Sequence, residues 1–419
     1  VGSELFRKDS GIMTRAKAAL LGILFFFLTA CQQGAPAAGL ESESTFSNYL
    51  PNPNVLCNQR TNIGGFAPGP RGLFLNAANL PTQNQQEITS FVIPDPTNCG
   101  ANIIVSWSAV DNGSSYDWTS VIEAARPWVK AGKTVNLLVW GAAQIKEQEF
   151  GKPITPQYVL DQVTDVTCSY FDQEKQETFV YPRTPAFWEN DYKENYKKFA
   201  RAVVKRFGDK PWVGFIRFGI GVGAESYPAN GIPKADNPCT TKWTSAPMNL
   251  SYEQGKNIGW KNYSLEMIDF FSTLQTSKPI LVTINEYPGV GRPFGRLLAD
   301  AAISKGFGVG TQGLTITQKE KYDARQPCFA DWCKIFDDNN AGNNVILEIQ
   351  TATQSSPQNV NRTGPLPLLL EFSLARGTQI LELYRSEWVV ANDPNNPNFD
   401  RYGQSYKDAL VDAAKALAE

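Results

Sequence analysis

The sequence predicts an α/β fold, a (β/α)8 TIM barrel with long inserts after strands three, four and six. Three observations predict it. Short apolar runs of β type alternate with amphipathic helical stretches along the chain, the pattern of a βα-repeat architecture. The longest interruptions, at about 143–188, 226–255 and 313–342, all follow strands rather than helices, and in a barrel the loops after strands build the C-terminal face. No glycine-rich phosphate loop separates the first strand from its helix, which argues against the alternative of a doubly wound open sheet.

The elements follow in order. Gly72–Ala77 is a short first strand bounded by Gly and Pro, and Asn102–Ser108 a second, followed by the turn Asp111–Ser115 and a helix from about Trp118 to Lys130. Thr134–Trp140 is a third strand, mostly apolar, of the type buried in a parallel sheet. Its helix is delayed to about Glu189, from which Tyr192, Tyr196, Phe199, Val203 and Val204 recur at helical spacing. The fourth strand, Trp212–Ile220, ends in Gly221-Val-Gly-Ala-Glu225 and its helix is expected at about 256–277. The fifth, from Ile280, leads through Asn285 and Glu286 to a helix over Phe294–Ser304, and the sixth is Gly308–Gly313. The seventh is read as Asn344–Gln350, with a helix at Leu366–Ala375. The eighth is Gln379–Tyr384, and a last helix covers about Ser405–Leu417.

The N-terminal segment reads as an address. From Met13, Arg15 and Lys17 precede the apolar run Ala18–Leu28, too short to span a bilayer but suited to the core of a signal peptide. It ends Leu28-Thr29-Ala30-Cys31, which resembles a bacterial lipoprotein lipobox, and the resemblance implies that Cys31 is lipidated. The expected organisation is therefore 1–30 upstream residues and signal peptide, 31–55 lipidated Cys and flexible tether, and 56–419 a single barrel. Export to the cell envelope or surface, with a membrane anchor on Cys31, follows from that reading. In an oxidising compartment the remaining six cysteines are candidates for disulfides. Loop positions favour Cys57–Cys99, Cys168–Cys239 and Cys328–Cys333 among the possible pairings.

The chain has 419 residues and no His, which removes imidazole bases, Ser-His-Asp nucleophiles and His-ligated metals. Chemistry must run on carboxylates, Tyr, Lys, Arg or Ser, and no metal or cofactor is implied. Lys and Arg total 39 against 41 Asp and Glu, so charge gives no reason to expect nucleic acid.

Five Glu residues stand at or near the ends of expected strands: Glu225, Glu286, Glu348, Glu382 and Glu387. Two carboxyl groups without imidazole or metal suit glycosidic cleavage, one donating a proton to the leaving oxygen and the other attacking the anomeric carbon or activating water. The placement of Glu225 on strand four and Glu348 on strand seven resembles the glycoside hydrolase clan built on (β/α)8 barrels. The run from Pro185 through Trp188 and Tyr192 to Gly214 also resembles the catalytic domain of family 42 β-galactosidases. That resemblance implies Glu225 as acid/base, Glu348 as nucleophile and a retaining course. Many clan members place Asn before the acid/base, where this chain has Ala224, and Glu286, Glu382 or Glu387 remains an alternative second carboxyl.

Aromatic faces stack on sugar rings while short polar groups address hydroxyls. Trp107, Trp140, Trp188, Tyr227, Tyr384 and Trp388, with Asn76, Asn285, Glu286, Gln312, Gln350, Glu382 and Arg385, are the expected substrate-binding residues, and the expected partner is an oligosaccharide or polysaccharide. A barrel that binds glycan without cleaving it is the alternative, and a structural part of the envelope a third reading.

Overall fold

A parallel strand covered on both faces is buried along its whole length and mostly apolar, and the central strands here follow that pattern. All nine residues of β2 (Asn98–Ser106) and all seven of β3 (Thr134–Trp140) are buried. With β1 (Gly72–Leu75), β6 (Val213–Phe218), β7 (Ile280–Thr283), β8 (Gly308–Leu314), β9 (Leu347–Thr351) and β10 (Ile380–Leu383) they close a parallel barrel, β10 returning to pair with β1. The predicted TIM barrel is thus the observed fold. The remaining strands, β4 (Ser169–Asp172) and β5 (Glu177–Val180), form an antiparallel hairpin within the first insert, which the sequence reading left without structure.

The computed structural model describes residues 49–53, 55–56, 70–81, 83–142, 153–166, 169–172, 177–180, 184–226, 258–285, 292–326, 328, 331–340, 345–351 and 363–419, all within the unit Phe46–Glu419. Cys31 and the expected signal peptide lie outside the described residues, as do Cys57, Cys168 and Cys239. Cys328 and Cys333 are joined as expected, and Cys99 is also disulfide-bonded.

Helices α1 (Thr119–Lys130), α2 (Asn190–Phe207), α3 (Ile258–Phe271), α4 (Arg292–Ser304), α5 (Ile316–Asp323), α6 (Trp332–Asn340), α7 (Leu366–Ala375), α8 (Arg385–Asn392) and α9 (Gln404–Ala418) accompany the strands. In α2 the buried residues Tyr192, Tyr196, Phe199, Ala200, Val203, Val204 and Phe207 make one apolar stripe, which seats the helix on the sheet. Two cores result. The larger lies between sheet and helices, while a smaller one fills the barrel with Phe74, Ile104, Leu138, Trp140, Phe215, Leu281, Ile346 and Ile380. Strand β8 supplies glycines instead: Gly308 and Gly310 face Ile346 and Glu348 on the neighbouring strand. The space they leave determines where a charge sits inside the barrel.

Candidate active site

The segment after β6 is folded tightly by its own backbone. The carbonyl of Glu225 accepts from the N–H groups of Ile220 and Gly221, both at 2.9 Å, and Gly223 donates 2.7 Å to Ala142 after β3. Gly223 has φ 65°, a conformation open to glycine at little cost. The helix layer secures the same loop: Tyr196 Oη donates to the Gly219 carbonyl (2.7 Å), Tyr263 Oη to Ile220 (2.8 Å) and Trp260 Nε1 to Ser226 (3.3 Å). From β7, Thr283 Oγ1 donates 3.0 Å to the Ala224 carbonyl. Glu225 is therefore presented by a loop held from three sides.

Its carboxylate meets amides from the next two strands. Asn285 Nδ2, just beyond β7, donates to Glu225 Oε2 at 2.9 Å, while its Oδ1 accepts from the Ser226 N–H at 3.1 Å. With its amide oriented by its partners, Gln312 on β8 donates to Glu225 Oε1 and, at 3.3 Å, to Oε2; its oxygen lies 3.3 Å from Gln350 Oε1 on β9. Gln350 Nε2 donates to Tyr384 Oη at 3.4 Å, and Asn76 at the end of β1 lies close enough to act on the same phenol. Burial first, and then the charges of Glu387 and Glu225, push the Tyr384 phenol up to about 12. It stays protonated and able to donate at any physiological pH. Asn76, Tyr384, Gln350, Gln312, Glu225 and Asn285 thus line a polar arc along the C-terminal ends of the strands. Trp140, at the end of β3, lies beside Gly223 with 9% of its surface exposed.

One layer deeper is a buried charge cluster. Arg217 on β6 has its Nη1 2.9 Å from Glu382 Oε1 and its Nη2 3.3 Å from Glu382 Oε2; the same Nη1 is 2.9 Å from Glu348 Oε2. None of the three residues has any measurable solvent exposure. Asn102 lies beside Glu382 and its Oδ1 accepts 2.9 Å from Asn136 Nδ2. Burial raises the Glu348 carboxyl, and the neighbouring Glu382 raises it further against the opposing pull of Arg217. Burial also raises Glu382, with Arg217 opposing. Burial alone would lower Arg217, but the two carboxylates outweigh it and hold the guanidinium charged. One cation facing two carboxyl groups in a dry interior favours a proton retained on the pair.

That depth corrects the expected nucleophile. Glu348 is the second residue of β9 and pairs with Gly310 and Ile380, so it faces the filled interior beneath the mouth. Gln350, one inward-facing position further along β9, is the side chain that reaches the arc. Glu382 likewise belongs to the buried cluster rather than to a substrate cleft, and Glu387 is fully buried, accepting 2.8 Å from Ser386 Oγ.

Three other expected binding residues turn away from the mouth. Trp107 opens a short helical turn instead of ending β2; it is fully buried, stacks on Phe199 with ring centroids 5.4 Å apart and donates 2.8 Å to Asp111. Trp388 lies in α8, fully buried, and donates 3.2 Å to Thr97. Arg385 donates to Glu87 (2.6 Å) and Gln83 (3.2 Å) in the segment after β1. Trp188 is half-buried against the outer core. Tyr227 and Glu286 lie outside the described residues.

The sequence reading missed Arg217, although a lone charge within Trp212–Ile220 is a visible signal. It also missed Tyr196, Tyr263 and Trp260, whose spacing reports a buried helix face and says nothing of where their polar tips reach.

No protein-family model matches the chain, and no curated protein sequence matches it. Among solved structures it is similar to the catalytic domain of the β-amylase from Paenibacillus polymyxa, at 12% identity over 81% of this chain and 98% of that one, with a TM-score of 0.48. It is similar to the endo-1,4-β-mannanase of Rhizomucor miehei at 11% identity, 84% and 99% coverage and a TM-score of 0.48. It is also similar to the cold-adapted β-galactosidase of Rahnella sp. R3 at 11% identity, 86% and 58% coverage and a TM-score of 0.49. Likenesses at this level assign neither a family nor an activity.

Proposed function

We propose that the barrel is a glycoside hydrolase with Glu225 as its acid/base carboxyl. The observation that carries this reading is the arc of polar side chains along the barrel mouth, centred on Glu225 and drawn from the ends of six strands. Active sites of barrels are assembled at that face from several strand ends. Neutral amides and a phenol beside a carboxyl suit a ligand rich in hydroxyls, and Trp140 adds an apolar ring face. In the reaction Glu225 protonates the leaving glycosidic oxygen; in a retaining course its carboxylate then takes a proton from the water that cleaves the glycosyl-enzyme ester.

The second carboxyl is assigned to Glu286, which follows Asn285 in the sequence. Glu348 is unsuited to the role, because a nucleophile must reach the anomeric carbon. A separation of about 5–5.5 Å between the two carboxyl groups gives retention and about 6.5–9.5 Å inversion. NMR of the first-formed anomer reads the outcome. Anchoring outside the cytoplasm through Cys31 belongs to the same proposal, and mass spectrometry of the mature N-terminus tests it.

One observation favours a second reading. Gln350, the neutral counterpart of Glu, reaches the mouth from strand seven, where the clan resemblance implies a nucleophile. A barrel with Gln there and no carboxyl at 286 in reach of the sugar binds glycan without cleaving it. Assaying the chain on aryl glycosides and polysaccharides beside Glu225→Gln and Glu286→Gln separates the two. Hydrolysis lost in both variants supports the enzyme; saccharide binding without hydrolysis by the wild type supports the binder.

A further inference from the structure

The geometry points to a second saccharide-binding site, on the insert that follows β8. Tyr322 and Asp323 of α5, Lys334 and Asp337 of α6, and Arg325 and Asp331 line an open surface cavity of about 630 Å³, with the Cys328–Cys333 disulfide in its wall. That volume is in the range of small-ligand pockets. The covalent link spans five residues, so this wall of the cavity is fixed before a ligand arrives.

Most charged groups in the lining already have partners. Asp337 accepts 2.9 Å from Tyr322 Oη and pairs with Arg376 at 3.1 Å; Asp323 pairs with Lys319 at 2.6 Å and Lys334 with Asp338 at 3.3 Å. Arg376 lies 4.1 Å over the Tyr322 ring, which holds that aromatic in place. Arg325 and Asp331 differ. Both line the cavity, Arg325 exposed and Asp331 half-buried, and their charged ends are met by solvent rather than by a partner among the described residues. Both also adopt left-handed backbone conformations, φ 57° and 58°, where glycine would be the unstrained choice. The chain keeps strained Arg and Asp at two positions whose side chains face one cavity.

A guanidinium fork and a carboxylate with free valences complement adjacent hydroxyl groups, which accept from the one and donate to the other. The disulfide and the Tyr322 ring add apolar surface for sugar C–H groups. Opposite charges of nearly equal number favour a neutral ligand over a charged one. The inferred occupant is therefore a short stretch of neutral oligosaccharide. Its role rests on the proposed glycosidase reading: a glycan held on a strand-end insert raises its effective concentration near the mouth. Binding itself does not depend on that reading.

The test uses the full chain carrying Glu225→Gln, so that no probe is consumed, with maltohexaose, cellohexaose, mannohexaose and xylohexaose as probes. At least one is expected to bind and to slow amide hydrogen exchange across residues 322–337. Adding Arg325→Ala and Asp331→Ala is expected to weaken that binding by about tenfold or more, the scale of losing charged hydrogen bonds, and to abolish the local protection. The same two substitutions in the otherwise wild-type chain should leave turnover of a small aryl glycoside unchanged. Binding by none of the probes, or protection that survives both substitutions, overturns the site. Absence of hydrolysis by the wild-type chain, with the protection intact in Glu225→Gln, overturns the enzymatic reading and leaves the site standing.

Discussion

Asn285 donates a 2.9 Å hydrogen bond from Nδ2 to Glu225 Oε2 while its Oδ1 accepts from the Ser226 N–H at 3.1 Å. One amide therefore holds both the carboxylate and the loop that presents it. Asn285→Ala removes both contacts. Turnover is expected to fall on the order of 10²-fold, the scale of a misplaced reacting group, with the melting temperature little changed. Asn285→Asp should be worse, since a second carboxylate faces the first. Equal kinetics for wild type and Asn285→Ala would show that Glu225 needs no such support.

The buried cluster predicts an unusual pH dependence of stability. The Glu348 carboxyl is raised in the folded chain, chiefly by burial and then by Glu382, so the folded state keeps a proton that the unfolded state releases. Stability from this group is fully present below the ordinary carboxylate range and is lost as pH rises from there through the elevated folded value. The groups facing it are Arg217 and Glu382, with Asn102 one contact further. Glu348→Gln mimics the protonated acid and leaves Arg217 with one carboxylate. Between about pH 5 and about pH 8.5, the variant's melting temperature should fall by less than the wild type's, with a difference of roughly a few degrees. Parallel profiles would contradict the assignment of a retained proton.

Arg217 is the counterpart of that argument. Removing the cation strands two carboxyl groups in an interior without solvent, and breaking a buried pair from one side costs about 3–5 kcal/mol. Arg217→Met should lower the denaturant midpoint strongly at neutral pH and less in mild acid, where both carboxyls take up protons. A midpoint loss independent of pH would place the effect in packing rather than charge.

The space for Glu348 is made by its neighbour. A Cβ on Gly310 would overlap Glu348 Oε2. Gly310→Ala should therefore destabilise the barrel by about 1–3 kcal/mol, the cost of overpacking. In a Glu348→Ala background the same substitution should cost much less. Additive losses in the double variant would mean that the two positions do not compete for space.

The barrel was legible because both-face burial leaves a mark in sequence: Thr134–Trp140 is apolar or small at nearly every position, and α2 repeats its aromatics at helical spacing. Depth along a strand was not legible. Reading strand seven from Asn344 put Glu348 near its end, but the paired strand begins at Leu347, so the carboxyl lies one inward-facing position too low and Gln350 takes the place at the mouth. Alternation assigns the face of a strand, whereas register with neighbours assigns height, and register is a property of three chain segments at once. Trp107 and Trp388 failed for a related reason. An aromatic near a strand end reads the same whether the next turn sends it over the mouth or back under α2 and α8.

The central claim is that Glu225 is the reacting carboxyl of this barrel. Its most direct test is turnover of aryl glycosides and polysaccharides by wild type and Glu225→Gln, with folding checked by melting temperature. The expected result is hydrolysis of at least one substrate by the wild type and a loss on the order of 10²–10⁴-fold in the variant, largest for substrates with poor leaving groups, at unchanged stability. A Glu225→Gln chain that turns over as fast as the wild type would contradict the claim.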